Sequence, residues 1–184
     1  MANSINILCV CTFNRTRSVL MEALLTDHLR ALDVDAVVGS AGTRAAGGWV
    51  MPTAVDLLAE RGLTVDPERG APLDEAGVRR ADLVVTAEQE HVVDIAGRWP
   101  GTFDRTFTLP ELVGRTVTYG RRNQESVEAW LVRVNTRRST GLAYLEDLTI
   151  GAIDDPTGLD RRTWKTVFTH IDQLTRQLAE AVAT

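Results

Sequence analysis

The apolar positions of the chain alternate between two kinds of pattern. Short strand-like stretches, the first an apolar run from Ile5 to Val10, occupy residues 5–11, 35–38, 82–86 and 106–109. Each has the length of a strand and is bounded by polar or turn-forming residues, as buried strands are. Between them the pattern recurs at helical spacing. Met21, Leu24, Leu25, His28, Leu29 and Leu32 define a stripe on a helix over residues 18–32, predicted to face a sheet with His28 on its flank. A second helix is predicted from Pro52 to about Arg61, stopping at Gly62. Asp74 is placed to cap a short helix through Arg80, and residues 88–97 form another. The clearest stripe is Trp164, Val167, Phe168, Ile171, Leu174, Leu178 and Val182, predicting a helix over about residues 160–183. Ser40-Ala41-Gly42-Thr43 reads as a turn closing the second strand, residues 45–49 as a glycine-rich loop, and residues 66–73 as loop. Strands alternating with helices predict an α/β fold whose parallel sheet is covered on both faces.

The remaining composition narrows this picture. A chain of 184 residues suits one domain with a proper core. With 44% hydrophobic and 24% charged residues it has an ordinary globular make-up. The net charge of −5 gives no reason to expect a nucleic-acid partner. No stretch approaches the ~20 apolar residues of a membrane span, and the N-terminus lacks the pattern of a signal peptide. The two cysteines, Cys9 and Cys11, lie too close for a disulfide framework, so a cytoplasmic location is expected. His28, His91 and His170 show no ligand spacing, and neither a metal nor a cofactor is expected. Residues 114–149 carry Arg115, Arg121, Arg122, Arg133, Arg137 and Arg138 against few acids. Val127, Trp130, Leu131 and Val134 mark an amphipathic helix inside that stretch. It reads either as an extra helix with a solvated basic face or as a basic rim that recruits a phosphorylated or acidic partner.

The chemistry concentrates in Cys11-Thr12-Phe13-Asn14-Arg15-Thr16-Arg17-Ser18, between the first strand and the first helix. A loop so placed turns backbone N–H groups into one concavity, and the helix N-terminus adds partial positive charge. A cysteine on the floor of that anion cradle is expected to act as a thiolate. Thiolate, guanidinium and a phosphate-sized cradle together suggest covalent phosphoryl transfer through a cysteinyl-phosphate.

This segment resembles the phosphate-binding loop of the low-molecular-weight protein tyrosine phosphatases, whose pattern is Cys-x-x-Asn-x-x-Arg-Ser. The same superfamily contains the thioredoxin-linked arsenate reductases. Ser40-Ala41-Gly42-Thr43 and Asp155-Pro156 resemble further family motifs, in the expected order. The resemblance implies a three-layer αβα domain over residues 1–184, with a four-stranded parallel sheet in the order 2-1-3-4. Residues 114–149 would be an atypical basic insertion. It implies a phosphatase of phosphate monoesters, acting on phosphotyrosine or another phosphorylated protein side chain, or on a small phosphomonoester. Cys11 would be the nucleophile, Arg17 a bidentate clamp, Ser18 a donor to the thiolate, and Asp155 the general acid and then base, with Asp154 as its fallback. Backbone N–H groups from Thr12, Phe13, Asn14, Arg15, Thr16 and Arg17 would hold the phosphoryl oxygens. Asn14 and Ser40 would support the loop.

The sequence also departs from the family. Phe13 stands where glycine is usual, Arg15 where tyrosine-specific members carry an apolar wall residue, and Thr157 where they carry an aromatic. Thr16 replaces a second loop cysteine that protects the nucleophile. Phe13, Trp49 and Thr157 are candidates for the pocket wall. Two further readings stay open: an arsenate reductase that uses a small-molecule thiol, and a phosphate-binding module without turnover. The relay form of arsenate reduction needs two more cysteines downstream, and none follows Cys11.

Overall fold

The computed structural model describes residues 4–183. Four strands, β1 (Ile5–Cys11), β2 (Ala36–Gly42), β3 (Leu83–Thr86) and β4 (Thr106–Thr108), form one parallel sheet in the order β2-β1-β3-β4. The helices in chain order are α1 (Arg17–Ala31), α2 (Pro52–Glu60), α3 (Glu75–Arg80), α4 (Gln89–Arg98), α5 (Leu109–Tyr119), α6 (Val127–Val134), α7 (Leu142–Leu145) and α8 (Arg161–Val182).

Alternation along β1 sorts the core into two layers. Ile5, Ile7, Cys9 and Cys11 enter one apolar cluster with α1, α2, α5, α6 and α8, while Leu8 and Val10 pack with α3 and α4 on the other face. The α8 stripe supplies Trp164, Ile171, Leu178 and Val182 to the larger cluster, and Phe168 packs on its edge. Leu178 is fully buried, so truncating it to Ala should cost about 2–5 kcal/mol. Asp160 starts α8 by accepting from the Thr163 amide at 2.9 Å. Because β2 and β3 flank β1 on opposite sides, the chain leaves the end of β1 where the sheet's connections diverge. Open parallel sheets bind ligands in that crevice.

Three expectations change. Leu32 lies beyond the end of α1 and is 43% exposed, so the predicted stripe ends at Leu29. Ser40, Ala41 and Gly42 are the last residues of β2 rather than a turn, because the ladder carries on to pair Cys11 with Gly42. Leu109 opens α5 instead of ending β4, since Thr108 and Glu111 form a capping box and Pro110 follows within the first turn. In residues 114–149, five of the six arginines hold partners within the domain among the described residues. Arg115 bonds the carbonyls of Val134 and Thr136, Arg122 that of Val182, and Arg121 pairs with Glu180. Arg133 binds Glu125 and the carbonyls of Tyr119 and Arg121. Arg138 is buried on Glu111 at 2.7 and 3.1 Å, with its guanidinium 4.1 and 3.9 Å from the ring centroids of Phe103 and Phe107. Tyr144 donates to the same Glu111 at 2.8 Å, and burial followed by that carboxylate pushes its phenol pKa up. Arg137 alone of the six makes no such bond among the described residues. These arginines tie irregular backbone to the core.

Candidate active site

The loop after β1 is held from three sides. Asn14 takes the left-handed conformation at φ 51°, so the turn falls on a residue that tolerates it rather than on Phe13. The fully buried Asn14 side chain donates to Ser18 Oγ at 2.9 Å and Ser40 Oγ at 2.7 Å, and its Oδ1 accepts from the Ala71 amide at 2.9 Å. One amide thus joins the loop, α1, β2 and the 66–73 segment. Gly42 closes the other side. A Cβ there would meet Asn14 N at 2.7 Å and Thr12 O at 2.8 Å, so no side chain fits between β2 and the loop. Arg44 N donates to Thr12 O at 2.8 Å, and Met51 N to Arg15 O at 2.8 Å. The amides of Phe13, Asn14, Arg15 and Thr16 have no protein acceptor among the described residues. They are the donors an anion would take up.

On the floor, Cys11 Sγ lies 3.0 Å from Ser18 Oγ, both atoms being buried. The Asn14 amide donates to that hydroxyl, which leaves the Ser18 proton free for the sulfur. Arg17 opens α1 with its side chain 4% exposed. Its Nη1 bonds Glu88 and, at 3.0 Å, the Ile153 carbonyl; its Nη2 donates to Asp155 Oδ2 at 3.0 Å. Its Nε is buried and has no partner among the described residues. A buried donor without an acceptor is costly, and an oxyanion in the cradle would supply the acceptor.

Asp155 reaches the site because Ile153 N bonds the Ala87 carbonyl beyond β3 at 2.8 Å, drawing the 153–157 segment to the end of the sheet. Burial pushes the Asp155 carboxyl up, but hydrogen bonds from Thr157 and the charge of Arg17 outweigh it and hold it below the usual carboxylate value. Asp154 is exposed and makes no hydrogen bond or ion pair among the described residues. A cleft of about 60 Å³ above Cys11 is lined by Phe13, Arg15, Thr16, Arg17, Met51, Asp155 and Thr157. Thr157 Oγ1 stands 3.4 Å from Thr16 Oγ1. Trp49 does not line it. Its ring is exposed and it contributes its carbonyl, which accepts from Arg15 Nε at 2.7 Å, while Met51 takes the wall position.

Three participants were not foreseen from sequence: Glu88, Met51 and His91. His91 is buried with Nε2 3.0 Å from Thr12 Oγ1. Burial pushes its pKa below the ordinary histidine value; Glu88, Glu90 and Asp94 oppose that, and Arg17 reinforces it. The available signal for Glu88 and His91 was position. They begin the helix after β3, whose end adjoins that of β1 in register, Val10 opposite Thr86.

Comparison with known proteins agrees with this geometry. The chain is 29% identical over 141 residues to the probable low molecular weight protein-tyrosine-phosphatase EpsP of Ralstonia nicotianae, covering 70% of this chain and 94% of that one. It is 34% identical over 109 residues to the protein-arginine-phosphatase of Bacillus subtilis, covering 59% and 72%. The crystal structure of a YwlE mutant from Bacillus subtilis superposes with a TM-score of 0.73 at 27% identity, covering 96% of this chain and 97% of that one. The family model described as low molecular weight phosphotyrosine protein phosphatase matches residues 6–120, and the chain belongs to that family.

Proposed function

We propose that this protein hydrolyses phosphate monoesters on phosphorylated protein side chains, phosphotyrosine first among them, through a cysteinyl-phosphate. The observation that carries the reading is Cys11 Sγ on a 3.0 Å contact with Ser18 Oγ, under a loop of free amides and beside the unpartnered Nε of Arg17. Relatives named as tyrosine and arginine phosphatases support it.

In the first half-reaction Cys11 Sγ attacks phosphorus opposite the leaving oxygen. The S–P bond forms as the P–O bond breaks, and Asp155 gives its proton to the departing oxygen. Asp155 is ionised at neutral pH while it bonds Arg17 and Thr157. A phosphate dianion taking over Arg17 raises the proton affinity of that carboxylate by repulsion, and the carboxylate takes up from solvent, as substrate binds, the proton it then gives to the leaving oxygen. The loop amides and the Arg17 fork hold the equatorial oxygens, where charge concentrates in the transition state. In the second half-reaction a water attacks phosphorus and gives a proton to Asp155. The S–P bond breaks, and the Ser18 hydroxyl receives the thiolate. Free thiols at Cys9 and Cys11 suit a reducing compartment, and we place the protein in the cytoplasm.

The test is turnover of nitrophenyl phosphate by wild type and Cys11→Ser, with vanadate binding and circular dichroism on both. Cys11→Ser is expected to lose turnover and keep fold and oxyanion binding. Turnover by Cys11→Ser near the wild-type rate would overturn the covalent mechanism. Vanadate binding without turnover by wild type would make the protein a phosphate-binding module. Arsenate-dependent thiol oxidation faster than phosphate release would make it a reductase.

A further inference from the structure

The mouth of the cleft carries a charge that the reaction does not use. Arg15 lines the cleft, yet it lies outside the group formed by Arg17, Glu88 and Asp155. Its Nε is fixed to the Trp49 carbonyl at 2.7 Å, and its own carbonyl accepts from Met51 N at 2.8 Å. The side chain is therefore held in one direction. Its terminal nitrogens meet no acceptor, and it has no carboxylate within ion-pair distance among the described residues. Arg17, by contrast, is paired with two carboxylates. The one acid lining the cleft, Asp155, is already turned onto Arg17 and the Thr157 amide. So a fixed, uncompensated guanidinium stands beside the phosphate position. A cleft of about 60 Å³ holds little more than the phosphoryl group. The rest of any substrate must then lie across the mouth, against Arg15 and the exposed rings of Phe13 and Trp49.

We propose that Arg15 sets the specificity of this site, selecting phosphotyrosine flanked by an acidic residue and disfavouring phosphoarginine. Resting on the phosphatase reading, the inference adds the substrate's surroundings to it. A carboxylate next to the phosphorylated residue can take the two free Nη groups in a planar, charge-assisted pair. Phosphoarginine brings a cationic guanidinium to the same place, and like charges there repel. Phe13 and Trp49 offer apolar faces to a tyrosyl ring and its neighbours.

The experiment compares kcat/KM for three peptides that differ only at the phosphorylated residue and its two neighbours: phosphotyrosine between two Glu, phosphotyrosine between two Gln, and phosphoarginine between two Gln. Wild type should prefer the Glu peptide over the Gln peptide by about fivefold, as for one exposed ion pair. That ratio should fall towards one as salt rises from about 0.02 to 0.5 M. Arg15→Gln keeps a donor for Trp49 and deletes the charge. It should bring the ratio to about one at every salt concentration and raise the rate on phosphoarginine relative to phosphotyrosine. Arg15→Lys should keep part of the preference. A wild-type ratio that is near one at low salt, or that salt does not change, overturns the inference even if the variants fail to fold. Equal ratios in wild type and Arg15→Gln overturn it too. No turnover of the peptides and of nitrophenyl phosphate alike overturns the phosphatase reading and the inference with it, whereas turnover of nitrophenyl phosphate without that of any peptide overturns the inference alone.

Discussion

Asp155 Oδ2 rests 3.0 Å from Arg17 Nη2, so the candidate acid and the candidate clamp hold one another. This contact couples substrate entry to the proton. A phosphate in the cradle would displace the carboxylate from Arg17 and by its own charge make that carboxylate a better base. The importance of Asp155 must then depend on the leaving group. Asp155→Asn should slow hydrolysis of tyrosyl or alkyl phosphates by about 10²–10⁴-fold, and that of nitrophenyl phosphate by much less. The alkaline limb of the pH profile for enzyme phosphorylation should disappear in Asp155→Asn, because the limb reports loss of the acid's proton. Asp154→Asn should change neither. Small, equal effects of Asp155→Asn on every leaving group would remove it from the mechanism.

Replacing Arg17 with Lys keeps a charge and loses the planar fork. It also strands Glu88 and the Ile153 carbonyl, which the guanidinium satisfies together with Asp155. A loss of about a hundredfold in kcat/KM is expected, the scale of removing one transition-state donor. A loss below about threefold would mean that Arg17 is not the phosphate clamp.

Glu88 fixes Arg17 without lying on the cleft wall. Glu88→Gln keeps the shape and removes the counter-charge, so the guanidinium can swing towards Asp155 or solvent. Misplacing a clamp by about 1 Å can cost ~10²-fold. We expect a fall in kcat for tyrosyl and nitrophenyl phosphates alike, which separates a positioning residue from a leaving-group acid. A fall confined to tyrosyl phosphate would place Glu88 in proton transfer instead.

The chemistry was more legible in the sequence than its supports were. Cys11, Arg17 and Ser18 sit within eight consecutive residues, and strand and helix periodicity on either side fixes how the loop between them opens. Asn14 and Ser40 could be paired because each ends or follows a strand that the βα pattern makes adjacent. Glu88 and His91 were hidden because nothing local marks them. They act through the pairing of β1 with β3, a contact between segments far apart in the chain. Trp49 falls outside the cleft wall, a placement hidden because loops have no period from which to read direction; its carbonyl fixes Arg15 and its ring stays exposed at the mouth. The arginines of 114–149 looked free since composition does not reveal partners. Arg138 finds Glu111 on α5 and a stack of aromatic rings.

Cys9 and Cys11 share a face of β1 and are both buried. Two residues along a strand advance about 6.6 Å, whereas a disulfide needs Cβ atoms about 3.8 Å apart. Burial and then the Glu22 carboxylate push the Cys9 thiol pKa up, so it is a poor partner for an oxidised Cys11. Peroxide should therefore take Cys11 past sulfenic acid, and thiol reductants should restore little activity after long exposure. Full recovery together with a Cys9–Cys11 crosslink by mass spectrometry would contradict this.

His91 gives the fold a pH dependence of known sign. Its folded pKa is lowered by burial below the unfolded value of about 6.5. In the window beneath that value the unfolded chain binds more protons than the folded one, so stability rises with pH and is lost as pH falls. Protonation would also put a charge beside Arg17 and make both ring nitrogens donors, one of them the buried Nδ1 that has no partner among the described residues. The Thr12 contact would loosen as the helix end holding Glu88 shifts. Urea midpoints of wild type should drop between about pH 7 and 5 by more than those of His91→Asn, which cannot take up the proton. Nitrophenyl phosphate turnover at pH 5.5, relative to pH 7, should likewise fall further in wild type. Identical pH slopes of the urea midpoint in the two proteins would show that His91 is not the group that titrates.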